Sequence, residues 1–246
     1  MPIQLMHLGP SGQERPVFQD IDGELFDLTP LTDEIDGKFL AADGTARALE
    51  AATAGLLPRF DATGLRVGPP VLQPGAVICI GMNYAAHAAE SGGTAPDTPI
   101  IFLKTPNTVI GPNDDIRIPP GSAKTDWEVE LAVVLGKRAS YLGAPEDAGR
   151  CIAGYTVSND VSERSFQLEC SGGQWSKGKC CPTFNPMGPG LVLSDGIADP
   201  QALRLSTKVN GDVRQSSSTS DMIFSVRYLI ELEIEQIGQQ RQRVCG

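Results

Sequence analysis

The chain has 246 residues, 41% of them hydrophobic and 20% charged, an ordinary globular balance with length for one large domain or one with a small appendage. A net charge of −10, with Lys and Arg spread along the chain, excludes a nucleic-acid surface and points to a small-molecule partner. No apolar run reaches the ~20 residues of a membrane helix, and the start, Met1-Pro-Ile-Gln4, has no basic lead into a hydrophobic signal, so the expected compartment is the cytoplasm.

Residues 1–66 are rich in short charged turns (Asp20-Ile-Asp-Gly23, Asp33-Glu-Ile-Asp-Gly37, Asp43-Gly44) around a predicted helix over 46–57, and they read as a small N-terminal domain. Residues 67–75 hold three prolines and two glycines, which rules out a regular helix or central strand and makes them the natural linker. The main domain, 76–246, opens with a strand over 77–80, a short helix over 84–90 and a strand over 100–104. A strand over 127–135, a helix over 145–152 with proline in its first turn, a strand over 155–158 and a helix over 161–170 follow. Asn210-Gly211 between alternating residues predicts a hairpin. The fold class is α+β, predominantly β. Six cysteines (Cys79, Cys151, Cys170, Cys180, Cys181 and Cys245) lack both the paired spacing of a zinc site and the density of a secreted scaffold, and read as reduced thiols.

The chemistry concentrates in Asp126-Trp-Glu128-Val-Glu130, whose acids share one face of the predicted strand. Clustered carboxylates resist burial unless a cation neutralises them or protons stay bound. With Asp160 at the end of the 155–158 strand, Glu128 and Glu130 make an all-oxygen set suited to a hard divalent ion. A solvated edge strand is the alternative. His87, one of two histidines, stands three residues before Glu90 on an alanine-rich helix, a pairing that suits a general base acting on water but also an ordinary exposed helix.

Arg164 and Gln167 stand at i, i+3 just after Asp160, where they serve either as oxyanion donors or as an exposed face. The run Gly173-Gln-Trp-Ser-Lys-Gly178-Lys179 mimics a phosphate loop. It fails as one, because Cys180 stands where Ser or Thr must follow and Pro182, Pro186 and Pro189 forbid the required helix. What remains is a Gly-rich loop presenting Trp175, Lys177 and Lys179 to an anionic substrate.

Ile80-Gly-Met-Asn-Tyr-Ala-Ala-His87, Ile101-Phe-Leu-Lys104, Asp126-Trp-Glu-Val-Glu-Leu-Ala-Val-Val-Leu-Gly136, Asn159-Asp-Val-Ser-Glu-Arg164, Gln174-Trp-Ser-Lys-Gly-Lys179 and Asp221-Met-Ile-Phe-Ser-Val226 together resemble the fumarylacetoacetate hydrolase family, in its order and over roughly residues 77–244. The resemblance implies a mixed β-sandwich roll with a small N-terminal domain, a homodimer or higher homo-oligomer, and Mg2+ or Mn2+ held by Glu128, Glu130 and Asp160. It further implies cleavage of the C–C bond of a carboxylate-bearing 2,4-diketo acid to pyruvate and a second acid. His87 with Glu90 would act on water, Lys179, Arg164 and Gln167 on the oxyanion, and Lys104, Trp175 and Lys177 on the anionic substrate.

The sequence context looks most like members acting on 2,4-diketo-3-deoxy sugar acids such as those of rhamnose or fucose breakdown. Relatives that decarboxylate or tautomerise 2-keto acids, and a noncatalytic acid-binding protein, are the other readings. The family normally continues after Ile230 with several tens of residues, including a Gly-Thr-Pro loop, before a strand like Glu231-Leu-Glu-Ile-Glu235. This chain passes directly from one to the other, which predicts an omitted segment and a wide Cα separation between Ile230 and Glu231.

Overall fold

The computed structural model describes residues 1–90, 95–137, 139, 142, 144–237 and 243–245, with side chains for all but 90, 145, 233–237 and 243–245. The strands are β1 (Gln4–Leu8), β2 (Arg15–Gln19), β3 (Leu25–Asp27), β4 (Ala76–Gly81), β5 (Ile100–Lys104), β6 (Val109–Ile110), β7 (Thr125–Asp126), β8 (Val129–Leu135), β9 (Ile152–Asn159), β10 (Ser162–Glu163), β11 (Asn185–Leu193), β12 (Arg204–Val209), β13 (Asp212–Ser218) and β14 (Arg243–Cys245). The helices are α1 (Gly37–Ala41), α2 (Gly44–Thr53), α3 (Ala85–Glu90), α4 (Ser176–Lys179) and α5 (Val226–Ile237). The architecture is α+β and strand-dominated, as the sequence implies.

One sheet carries the order β3-β2-β1-β11-β9-β8-β14-β4-β5, with β6 pairing β11 alongside. Two small sheets, β10-β7 and β12-β13, stand apart from it. The N-terminal strands are built around the expected turns: Asp20 and Gly23 close the β2-β3 hairpin, and Asp36 caps α1 by accepting from the Phe39 N–H at 2.8 Å. Residues 1–66 share a core with the rest, since Leu5 and Phe18 pack in one cluster with Ala132, Val134, Met187 and Leu191.

Three expectations are corrected. The 127–135 strand is interrupted, because Thr125–Asp126 pairs with β10 while the Glu128 N–H donates to the Asn159 side chain at 3.1 Å, so Asp126 and Glu128 do not share one continuous strand. The 161–170 helix is instead β10 followed by a π-helical turn, Ser165–Glu169, whereas the helix expected over 145–152 is present as a 3-10 helix, Pro145–Cys151, with proline at its start. The strand expected from Glu231 is helix instead, entered directly from Ile230. Both belong to α5, whose Val226, Leu229 and Ile230 recur at helical spacing and are buried, Val226 and Ile230 against Leu131, Val133 and Tyr155.

Candidate active site

β8 and β9 run antiparallel with Glu130 opposite Ser158, and the Asp160 N–H donates to the Glu128 carbonyl at 2.8 Å, which brings the acids of the two segments together. They line one cavity of about 500 Å³ with Arg164, Gln167, Trp175, Lys179 and His87. Lys179 Nζ donates to Glu128 Oε2 at 2.5 Å and to Asp160 Oδ2 at 2.6 Å, and lies 4.7 Å from the centre of the Phe102 ring. Arg164 reaches Glu128 Oε1 at 2.6 Å and Asp126 Oδ2 at 2.8 Å. Its Nη1 donates to Gln167 Oε1 at 3.0 Å, a bond that occupies the amide oxygen and leaves the Gln167 N–H groups for the cavity.

The cationic side of the site is held by contacts a larger residue would break. A Cβ on Gly178 would stand 2.5 Å from both the Gln167 nitrogen and the Glu163 carbonyl oxygen, so only glycine lets α4 lie against the π-helical turn and deliver Lys179. A Cβ on Gly81 would meet the Trp175 ring at 2.4 Å; that ring packs on Phe102 with centroids 5.8 Å apart.

Beneath the turn, fully buried Glu163 accepts from the hydroxyls of Ser122, Thr125 and Ser165 and from the Lys124 N–H. Burial opposes its charge, yet the donors from Ser122, Ser165, Thr125 and Lys124 outweigh it and hold the carboxyl down to about 2. Glu163 thereby joins the strand bearing Asp126 to the turn bearing Arg164.

Burial and the neighbouring Asp160 and Glu128 push the Glu130 carboxyl well above its ordinary range, with Lys179 opposing. Asp160 behaves oppositely: burial resists its charge, but Lys104 and Lys179 hold it below the usual carboxylate range. A divalent ion suits this chemistry, since the donors are all oxygen and negative charge exceeds the positive charge reaching it. In the arrangement described, Lys179 bridges Glu128 and Asp160, and among the described residues no three acidic, His or Cys groups are gathered around a common point.

His87 is exposed on α3 at the cavity wall. Glu90 ends the same helix, but its side chain lies outside those described, so the predicted pairing stays a proposal. Two of the expected substrate-binding residues lie outside the cavity lining. Lys104 is 2% exposed and spends its ammonium on Asp160 Oδ1 at 2.6 Å and the Val161 carbonyl at 2.9 Å, so it supports Asp160 from behind and does not line the cavity. Lys177 points away, donating to the Ser171 carbonyl at 3.0 Å.

Sequence reasoning marked the hairpin but did not place its second strand, β13, in the cavity, which it lines with Arg214, Gln215, Ser216 and Ser217. Gln215 Oε1 accepts from the Val129 N–H at 3.0 Å and from the Thr207 hydroxyl at 2.7 Å, tying the hairpin to the backbone between Glu128 and Glu130. It also missed Tyr84, whose buried hydroxyl has no partner among the described residues and is pushed up by burial and by Glu130. The Asn-Gly turn marked the hairpin, but nothing local says which wall it faces.

Residues 76–240 match the model of the fumarylacetoacetate (FAA) hydrolase C-terminal family. A Burkholderia lata protein carrying a provisional hydrolase name is 45% identical over 231 residues, 93% of this chain and 79% of that protein. Among solved structures, a fumarylacetoacetate hydrolase from Exiguobacterium antarcticum is similar with TM-score 0.80 and 30% identity, covering 99% of this chain and 85% of that one. Maleylpyruvate hydrolase from Sphingobium sp. SYK-6, in complex with manganese(II) and pyruvate, is similar with TM-score 0.78 and 26% identity, covering 98% and 87%.

Proposed function

Because this chain belongs to the fumarylacetoacetate hydrolase family, we propose that it is a divalent-metal-dependent hydrolase cleaving the C–C bond of a 2,4-diketo acid to pyruvate and a carboxylic acid. The observation that carries this reading is that Glu128, Glu130 and Asp160 line one cavity with Arg164, Gln167, Lys179 and His87. Glu128, Glu130 and Asp160 would hold Mg2+ or Mn2+, which when bound anchors the 2-keto acid end and polarises its oxygens.

The chain's own groups then divide the work. His87, assisted by Glu90, takes a proton from water as the water oxygen bonds to C4 of the substrate. The C4 carbonyl pair moves onto oxygen, where donors of Lys179, Arg164 and Gln167 hold the charge. As the carbonyl re-forms, the C3–C4 bond breaks and its electron pair stays on C3 as the enolate of pyruvate. The proton held by His87 returns to C3, giving pyruvate and the free acid. Trp175 and Phe102 form an apolar wall beside Lys179 that limits water there.

Incubation with Mg2+ or Mn2+ and 2,4-diketo acids, sugar-derived ones included, should release pyruvate and the second acid in equal amounts and stop on chelation. A panel that yields no pyruvate refutes the reading. Carbon dioxide or a rearranged acid in its place would assign a decarboxylase or isomerase; a structurally similar chain from Mycobacterium smegmatis is a 5-carboxymethyl-2-hydroxymuconate delta-isomerase, TM-score 0.76.

A further inference from the structure

His87 rides on a helix of six residues, too short to hold its shape or direction alone in water. What fixes it lies about 135 residues further along the chain. Asp221 Oδ2 accepts from the Ala86 N–H at 2.9 Å, satisfying a donor in the first turn, one residue before His87. Just before the helix, the Asn83 amide grips the Phe224 backbone at both ends, donating to its carbonyl at 3.1 Å and accepting from its N–H at 2.9 Å. The Ile223 N–H donates to the Asn83 carbonyl at 2.7 Å, and Tyr84 pairs with Met222 as an isolated antiparallel bridge.

The 221–224 segment is itself anchored. Buried Thr219 exchanges hydrogen bonds with Leu203, its N–H donating to the Leu203 carbonyl at 2.9 Å and its hydroxyl accepting from the Leu203 N–H at 2.9 Å. Gln201 donates to the Thr219 carbonyl at 3.0 Å and accepts from the Val226 N–H at 2.8 Å, at the start of α5. The helix bearing His87 therefore takes its position from the segment between the β12-β13 hairpin and the α5 core.

We propose that Asp221 is a positioning residue for His87, fixing through the Ala86 N–H where α3 presents the imidazole to the cavity. The inference rests on the reading of His87 as the base acting on water. Asp221 itself reaches no reacting atom in this scheme. Its effect should therefore fall on kcat, and should vanish once the imidazole is gone.

The test is a double-mutant cycle with pyruvate release as the rate assay and calorimetric Mn2+ titration beside it. Asp221→Ala should lower kcat by about tenfold, the scale of a modest misplacement of a reacting group, with KM and Mn2+ affinity within about twofold of wild type. Asp221→Asn, which keeps an acceptor oxygen, should recover most of the rate. In a His87→Ala background, Asp221→Ala should cost less than about twofold more, because coupled residues are non-additive.

Should Asp221→Ala not fold, Asp221→Glu, with its carboxylate one methylene too far, takes its place in the same cycle. An unchanged kcat for the Asp221 variant while His87→Ala is impaired overturns the positioning role and leaves the proposed function standing. Losses that multiply in the double variant overturn it as well. A fully active His87→Ala overturns the assignment of the base, and the positioning role with it.

Discussion

Gly178→Ala offers the sharpest test of how the cationic half of the site is built. The added methyl would sit 2.5 Å from a backbone nitrogen and a backbone oxygen, neither of which can swing aside as a side chain would. Ordinary contact begins near 3.4 Å, so α4 and the π-helical turn must part by roughly 1 Å. Overpacking of this kind costs about 1–3 kcal/mol, which for a chain of this size lowers Tm by about 2–12 °C. The functional penalty falls at the upper end of that energy range, because the same shift carries Lys179 away from Glu128 and Asp160, and a misplacement of about 1 Å at a reacting centre costs on the order of a hundredfold in rate. Steady-state pyruvate release and a thermal melt on one preparation give both numbers. Wild-type kcat/KM with an unshifted Tm would refute the claim that close backbone approach at Gly178 places the lysine.

Glu163→Gln should destabilise the protein above about pH 5 and converge on wild type as pH falls. The native carboxyl, held at about 2, contributes stability that is complete above its unfolded value near 4.5 and is lost as pH falls through the native value, so matched denaturant melts at pH 7 and pH 3 give the difference. His7 is fully buried, with Nδ1 3.1 Å from the Pro69 carbonyl and Nε2 accepting from the Ile35 N–H at 3.3 Å, and burial, opposed by that Pro69 contact, lowers it to about 4. Its depressed native value makes the neutral ring's stabilisation complete above the unfolded value near 6.5 and steadily lost as pH falls toward 4, about 3 kcal/mol in all; His7→Gln should flatten the stability profile between pH 7 and pH 4, and an unaltered slope would contradict it.

The sequence made the acids legible because their chemistry is expensive and local: Glu128, Glu130 and Asp160 stand beside apolar strands where solvated carboxylates do not belong. Periodicity also located β4, β5, β9 and the Asn-Gly hairpin, since alternation and turn residues are short-range signals. It failed where partners come from afar. The 161–170 stretch has a helical look, but Ser162 pairs with Asp126 and Glu163 finds its donors in Ser122, Thr125 and Ser165, and those bonds favour a strand and a π-turn over a helix. Lys104 is assigned to the substrate through the family resemblance, since nothing local in its apolar strand shows a partner. Its carboxylate partner is 56 residues away. Glu231-Leu-Glu-Ile-Glu235 alternates like a strand, yet the buried 226, 229 and 230 positions before it impose a helical period that runs on.

The charge balance of the site leads to a last prediction about order of binding. Four carboxylates, Asp126, Glu128, Glu130 and Asp160, meet three cations, Lys104, Arg164 and Lys179. With all four ionised the surplus would be one negative charge, and the raised Glu130 carboxyl relieves it by keeping its proton. An anionic 2-keto acid therefore meets no net positive charge in this cluster, whereas a divalent ion that displaces the Glu130 proton would bring it to plus one, which a single carboxylate then neutralises. Pyruvate should bind at least about tenfold more weakly without the ion, and by reciprocity pyruvate should tighten Mn2+ binding by the same factor. Calorimetric titrations of each with and without the other measure both arms. Equal pyruvate affinity in the presence and absence of Mn2+ would mean that Arg164 and Lys179 bind the anion unaided, their bonds to Asp126, Glu128 and Asp160 being exchangeable for bonds to the substrate.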